Sequence, residues 1–442
     1  MRKYIIRRLL LMPITLIGIT FLVFCLTRMV PGGPVERMLQ EHAIGALAGD
    51  KAVTQAADTV GQEDIERLEE LFNLQEPVWK AYLQWLGLLP QAVEISKAEF
   101  NDKGTATLTL TDTEGKAFLL DLQRDGDTPV FLGGEKARAE HWHIVLESPH
   151  ARALRVVARR GHAATAEEIA ALEKSPACRR WRAVASRRAF RGVLQGSLGL
   201  SYKYNEPVTG MIAERLPVSL YLGLLGALIT YLVSIPLGVF KALHHRGWFD
   251  SITSVLIFVG YAVPGFALGA VLLVYLGARL EWFPLYGLTS PGFDTMPFKE
   301  QVHDLALHTV LPLCCYVVST FAMTTMMMKN NLMENLSADY VRTAVAKGVS
   351  FRRAVWFHAF RNSFIPIAST LGGVICTVIG GSILIERVFD IQGFGMLSFQ
   401  ALLDKDYSLI MGTLLLTSVL IIIGNLLSDL LVALIDPRVR FD

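Results

Sequence analysis

The residues best equipped for chemistry lie between Asp339 and Pro366, DYVRTAVAKGVSFRRAVWFHAFRNSFIP, and their types suit binding rather than bond-making. The stretch is basic, amphipathic and broken once by glycine. Tyr340, Val341, Ala344 and Val345 recur at helical spacing, with Ser337 placed to cap that helix and Gly348 suited to the left-handed residue that ends it. Ser350 can cap a second helix through Phe351, Ala354, Val355 and His358. Helix, glycine hinge, helix is a shape that seats in another protein's groove. The same pattern also suits an ordinary pair of interfacial helices held by lysine and arginine at lipid headgroups.

Elsewhere the chain offers no covalent or nucleotide chemistry. Glu114-Gly115-Lys116 is followed by Ala117, so no phosphate loop of the G-x-x-x-x-G-K-[ST] form exists, and H-E-x-x-H, G-x-S-x-G and C-x-x-C are absent as well. His141 and His143 would share a strand face. No carboxylate or cysteine stands at matching spacing, and a metal site needs three or four ligands, so two surface histidines flanking a buried Trp142 is the preferred reading. No catalytic residue, cofactor, metal or nucleic-acid partner is expected. If ATP drives the process, another chain must bind and hydrolyse it.

The elements that position the basic stretch are membrane spans. Hydrophobic residues make up 52% of the 442-residue chain and charged residues 19%, with mean hydropathy +0.40. Six runs reach the length of about 20 residues that a helical crossing needs: Leu9–Thr27, Val218–Phe240, Ser251–Ala278, Thr309–Met328, Ser363–Ile385 and Tyr407–Ser428. Tyr261-Ala-Val-Pro264-Gly265 predicts a kink or break within the third. Cys25, Cys314, Cys315 and Cys376 fall inside these runs and leave Cys178 without a soluble partner, so no disulfide framework is expected outside the membrane.

Lysine and arginine orient the spans. Arg2, Lys3, Arg7 and Arg8 begin the chain, Lys241 and Arg246 follow the second run, and Lys329, Arg342, Lys347, Arg352, Arg353 and Arg361 follow the fourth. Residues 279–307 and 386–406 each carry two basic against four acidic residues. Both termini are therefore expected in the cytoplasm, with 329–362 on the same side. Leu26-Thr27-Arg28 offers no small-x-small cleavage site, which predicts an uncleaved anchor for 1–29.

Residues 30–217 then fall on the outer side. Within them, 91–191 hold 17 Lys/Arg against 14 Asp/Glu, but long loops translocate largely regardless of charge. Thr105–Thr111 and Ala117–Leu122 alternate around Asp112-Thr-Glu-Gly115, a hairpin pattern. His141–Glu147 and Ala153–Ala158 read as further strands, Thr165-Ala-Glu-Glu168 as a helix start, and Pro176–Phe190 as a basic helix with Arg179, Arg180, Arg182, Arg187 and Arg188 on a solvated face. The fold class expected is an all-α polytopic membrane protein with six transmembrane helices and a small inserted α+β extracytoplasmic domain over 90–190. It separates the outer-side segment 30–89 from the membrane core 191–442.

Motifs along the chain carry a resemblance. Tyr4-Ile-Ile-Arg-Arg-Leu-Leu, Met29-Val-Pro-Gly-Gly-Pro34, Leu198-Gly-Leu-Ser201-Tyr202, Glu214-Arg-Leu-Pro217 and Phe258-Val-Gly-Tyr-Ala-Val-Pro264 precede the basic segment. In it stand Tyr340, Arg342-Thr343-Ala344, Ala346-Lys347-Gly348, His358, Arg361-Asn362 and Pro366. After it come Glu386, Phe389, Gly393, Gly395, Asp406, Tyr407 and Asp436-Pro437-Arg438. The chain resembles the inner-membrane permease subunits of dipeptide and oligopeptide ABC importers, most of all the microcin C type, with 90–190 as the departure.

The resemblance implies a type I importer-like core in a bacterial inner membrane, forming half of a pore with a second homologous permease. It also implies cytoplasmic ATP-binding subunits, an extracytoplasmic solute-binding protein and a peptide or peptide-like substrate. Tyr340, Arg342, Ala344, Lys347, Gly348, His358 and Arg361 would couple to the ATPase, while Glu386, Phe389, Gly393, Gly395 and Asp406 would lie at an outer gate or along the pathway. Gly372-Gly373 and Gly380-Gly381 read first as helix-packing positions. A membrane-anchored binding or sensory module and a secondary carrier are the other readings. The scarcity of ionisable groups in the spans counts against a proton-coupled carrier.

Overall fold

The computed structural model describes residues 2–29, 66, 69–70, 73–74, 76–112, 115–132, 141–159, 165–175, 178–380 and 382–435. The expectations for Val30–Pro34, Gly381 and Asp436-Pro437-Arg438 lie outside them. The chain begins in helix α1 (Arg2–Met29), which carries the first apolar run. It forms two compact units, 25–202 on the one hand and 1–24 with 203–442 on the other.

In 25–202, α2 (Val78–Leu86) leads into strands β1 (Gln91–Glu99), β2 (Thr105–Thr111), β3 (Ala117–Asp125), β4 (Thr128–Leu132) and β5 (Trp142–Glu147). Helices α3 (Pro149–Arg159) and α4 (Ala166–Glu173) and strand β6 (Arg182–Ala189) follow. Two antiparallel sheets result, ordered β1-β6-β5 and β2-β3-β4. The hairpin pairs Thr111 with Ala117, and Gly115 turns it with φ +80°. Period-two alternation buries Leu108, Leu110, Phe118, Leu120 and Leu122 in one core with Phe100, Trp142, Ala183 and Ala185. Trp142 donates its indole N–H to the Thr111 carbonyl at 3.0 Å, while His141 and His143 stay exposed on either side of it.

Two expected elements exchange type. Ala153–Ala158 is helical: Pro149 occupies the first helical position, the Ser148 hydroxyl accepts the Ala151 N–H at 3.1 Å, and Ala153 and Val157 are buried one turn apart. The Val156-Val157 pair favours a strand locally, and the cap together with the i,i+4 burial overrides it. The basic stretch up to Phe190 is a strand rather than a helix, because β6 lies between β1 and β5 and satisfies its backbone on both sides. Its arginines are not one solvated face. Arg182 is buried between Glu66 and Glu147, and Arg187 pairs with Glu94. At α4, Thr165 and Glu168 form the reciprocal capping box their spacing predicts.

In the other unit, α5 (Val208–Leu243) contains the second run, and α6 (Trp248–Ala262) and α7 (Gly265–Leu272) the third. A π-helical turn extends α7 to Arg279. The break falls at Val263-Pro264 as expected, and the two halves meet at 89°. Helix α8 (Phe298–Ser337) holds the fourth run. Next come α9 (Asp339–Ala346), α10 (Phe351–Ala354), α11 (Phe360–Gly380), α12 (Ile383–Val388), α13 (Phe394–Asp404) and α14 (Tyr407–Ile435). Among the described residues four helices are long and apolar enough to cross a membrane, or five if the bent pair counts as one span. Helices α5 and α8 touch closely at Gly238, where a Cβ would lie 2.7 Å from Met328 Cβ and 2.8 Å from the Thr325 carbonyl.

Candidate functional site

The segment 338–361 closes by local hydrogen bonds around one glycine. Gly348 has φ +90°; its N–H reaches the Val345 carbonyl at 2.9 Å and the Val349 N–H reaches Ala344 at 3.1 Å. This is the Schellman closure of α9. Ser350 stands at the start of α10 but makes no side-chain cap bond. Ser337 does not cap α9. The preceding helix runs through it, its hydroxyl donates to the Glu334 carbonyl at 2.8 Å, and extended Ala338 makes the break instead. From Val355 to Ala359 the backbone is π-helical and feeds directly into α11.

The expected apolar stripes divide between two sides. Val341, Ala354 and Ala359 are buried with Val239 and Ala242 of α5, Met328 and Leu332 of α8 and Ile367 of α11. Tyr340, Val345, Phe351, Trp356 and Phe357 remain exposed, Phe357 at 72%. Arg342, Lys347 and His358 are exposed and Ala344 is half-buried. The Tyr340 hydroxyl donates to Asn335 Oδ1 at 2.6 Å. Arg361 donates Nε–H to the Ile435 carbonyl at 2.9 Å, which ties the segment to the end of α14. One face is therefore anchored in the helical core and the other displays aromatic and cationic side chains.

Glu386, Phe389, Gly393 and Gly395 come together around the start of α13. Glu386 is fully buried and does not pair with Arg387, which is exposed. The Ser219 hydroxyl donates to Glu386 Oε1 at 2.8 Å, and the Met396 N–H donates to Oε2 at 2.7 Å. Ser219 Oγ in turn accepts the Phe394 N–H at 2.8 Å. A carboxylate and a hydroxyl from other helices thus satisfy donors that α13 leaves open at its first turn. Ser219 carried no recognisable signal in the sequence, since an isolated serine in an apolar run is ordinary. Phe389 packs against Gly269, where a Cβ would meet its ring at 3.0 Å. Asp406 stands apart and caps α14, accepting the Leu409 N–H at 3.1 Å.

Gly393→Ala should disturb this cap. Its Cβ would lie 2.6 Å from both Glu386 Cδ and Ser219 Oγ, two groups already held by hydrogen bonds. We expect a loss of about 1–3 kcal/mol, read as a lowered unfolding midpoint in detergent. Gly210→Ala, whose Cβ would meet nothing nearer than Pro207 Cγ at 3.6 Å, is the control that should leave the midpoint unchanged.

Two lysines counted as loop cations for orientation are in fact buried. Lys241 and Lys329 meet Asp250 at the junction of α5, α6 and α8. Charges at the ends of apolar runs read as interfacial by default, so the pairing left no local signal.

Residues 234–441 match the family described as the binding-protein-dependent transport system inner membrane component. The chain is 40% identical over 247 residues to the peptidoglycan transport system permease protein YejB of Agrobacterium fabrum, covering 55% of this chain and 68% of that one. It is 39% identical over 238 residues to the inner membrane ABC transporter permease protein YejB of Escherichia coli O157:H7, covering 53% and 65%. With the oligopeptide transport system permease protein AppB of Bacillus subtilis it shares 32% over 250 residues, covering 56% and 78%. These matches, joined to the apolar helices and the two-helix basic segment, make the chain a member of the binding-protein-dependent inner-membrane component family, a multi-pass transmembrane permease subunit of an ABC importer.

Proposed function

We propose that this permease forms half of a translocation pathway for peptides or peptide-like solutes and is driven through segment 338–361 by a separate ATPase. The observation that carries the coupling reading is the division of that segment. Val341, Ala354 and Ala359 are rooted in the core of α5, α8 and α11, while Tyr340, Val345, Phe351, Trp356 and Phe357 are left uncovered. Exposed aromatics beside arginines form a contact surface for a protein partner. In this reading Tyr340, Arg342, Ala344, Lys347, Gly348 and His358 meet the ATPase, and Arg361 holds the lever to α14. The substrate class follows the names of the peptide permeases that the chain is similar to.

The remaining features belong to the same proposal. Helix α11 and the bent α6–α7 pair complete a six-span, type I importer-like core, which a second homologous permease joins to enclose the pathway. The cap formed by Glu386, Ser219, Gly393 and Gly395, with Phe389 beside it and Asp406 on α14, lies at the outer mouth, where it stiffens the gate rather than binding solute. Residues 90–190 are an inserted α+β domain facing an extracytoplasmic solute-binding protein. The chain hydrolyses nothing itself.

Mild detergent extraction of the tagged full-length protein tests the core of this reading. A nucleotide-binding chain should co-purify in stoichiometric amount; its absence would place a secondary carrier or a membrane-anchored sensor ahead. Topology is tested separately. Cysteines at exposed Thr109 and Arg352, introduced into a cysteine-free version, should react oppositely with an impermeant maleimide on intact cells, Thr109→Cys labelled and Arg352→Cys protected. Labelling of Arg352→Cys from outside would reverse the orientation and remove the ATPase from the segment.

A further inference from the structure

One carboxylate and three potential cations meet where α5, α6 and α8 come together. Asp250 stands in the first turn of α6, 5% exposed. Lys329 of α8 places its Nζ 2.7 Å from Oδ1 and 2.8 Å from Oδ2. Lys241, near the end of α5 and fully buried, lies 3.1 Å from Oδ1. Its remaining contacts also reach α6: the Asp250 carbonyl at 2.9 Å, Thr253 Oγ1 at 2.7 Å and Ser254 Oγ at 2.8 Å. On Oδ2, the Arg246 N–H donates at 3.3 Å and His245 Nδ1 lies at the same distance.

Stability alone is a poor explanation for this cluster. Two buried ammonium groups share one carboxylate, and desolvating such a set costs more than apolar packing of similar volume would. Position offers a better one. Met328 and Leu332, beside Lys329 on α8, belong to the core that holds Val341, Ala354 and Ala359 of the basic segment. The close approach at Gly238 locks α5 to α8 one turn away. A displacement of the segment therefore acts on the α5–α8 pair. Helix α6 is joined to that pair by the ion cluster, and α6 runs from Asp250 to the break at Val263-Pro264. Apolar contacts between helices can slide, whereas separating either lysine from Asp250 leaves a buried charge unpaired.

We propose that Asp250, Lys241 and Lys329 are positioning residues for transport, the link that transmits motion of segment 338–361 to the broken span α6–α7. The proposal rests on the coupling reading given under Proposed function. It predicts that breaking the link separates nucleotide binding from movement of α7 without dissolving the complex.

Spin labels at exposed Trp282, beyond the end of α7, and exposed Phe298, at the start of α8, report that movement in the purified permease–ATPase complex. Distances are compared without nucleotide and with ATP and vanadate. In the parent protein the distribution should shift. In Asp250→Asn the ratio of shifted to unshifted molecules should fall about fivefold or more, with basal ATP hydrolysis retained, and Asp250→Glu should recover most of the shift. Thr253→Val with Ser254→Ala, which releases Lys241 from the α6 hydroxyls and leaves every charge in place, should lower the ratio too. It decides the matter if Asp250→Asn fails to assemble. An unchanged shift per assembled complex in these variants would overturn the proposal and leave the cluster purely structural. Absence of any co-purified ATPase in the parent protein would instead defeat the coupling reading itself.

Discussion

Gly348→Val should reach the membrane at near-normal levels and lose transport together with substrate-stimulated ATP hydrolysis. Gly348 sits at φ +90°, and a Cβ built there meets nothing within 4 Å. The penalty is therefore in the backbone, about 1–2 kcal/mol for a left-handed β-branched residue, and the chain can avoid it by changing φ. That change breaks the Gly348–Val345 and Val349–Ala344 hydrogen bonds and redirects α9 relative to α10. Spans α5, α8 and α14 make none of these bonds, so insertion should survive. Ala344→Asp should act alike by placing a carboxylate on the half-buried side of α9. The readout is ATPase activity of the reconstituted complex with and without cargo-loaded binding protein. Binding of cargo to that separate protein should stay normal. Full stimulation in both variants would sink the coupling reading.

Arg182→Met is expected to cost the 25–202 unit about 3–5 kcal/mol, the range for removing one partner of a buried ion pair. Arg182 is 5% exposed. It reaches Glu66 at 2.8 Å and Glu147 at 2.7 and 3.1 Å, while Lys97 shares the same Glu66 oxygen at 3.2 Å and Arg155 holds the other Glu147 oxygen at 2.7 Å. Burial pushes the Glu66 carboxyl up, but the hydrogen bond and charge of Arg182, helped by Lys97, outweigh it and hold it down at about 2, against an ordinary 4.5. Glu147 is likewise lowered, with burial opposed by Arg182 and Arg155.

The sign of the pH dependence follows. A carboxylate whose folded value lies below its unfolded one contributes stability that is complete above the unfolded value and is lost as pH falls. The parent protein should hold its stability above about pH 5 and lose it between about 4.5 and 2. Arg182→Met should be less stable at neutral pH and show a shallower acid limb, because burial then acts against fewer cations. Thermal unfolding in detergent, with hydrogen exchange over β5 and β6 corrected for intrinsic rates, measures both. An unchanged acid limb in the variant would show that Arg182 does not set these carboxylates.

The features legible in the sequence share one property: their causes lie within a few residues. The apolar runs of α1, α5, α8 and α14 are set by length and hydropathy. The break between α6 and α7 comes from Pro264, which cannot donate to the helix ladder. The β2–β3 hairpin follows from period-two alternation around Gly115, the α4 cap from Thr165 and Glu168, and the closure of α9 from Gly348. Where expectation failed, local propensity was outvoted. Ala, Val and Arg between 182 and 189 can form either a helix or a strand, and partners on both sides make β6 a strand.

The sites of greatest consequence depended on pairings across long stretches of chain. Arg182 meets Glu66 from 116 residues away, Lys329 meets Asp250 from 79, and Ser219 meets Glu386 from 167. Sequence by itself determined that this chain crosses a membrane, where it bends and where its basic segment turns, because hydropathy, proline and glycine act locally. Only the tertiary structure decided which charges are buried and what each one holds, because a charge leaves water only when the fold brings its partner to it.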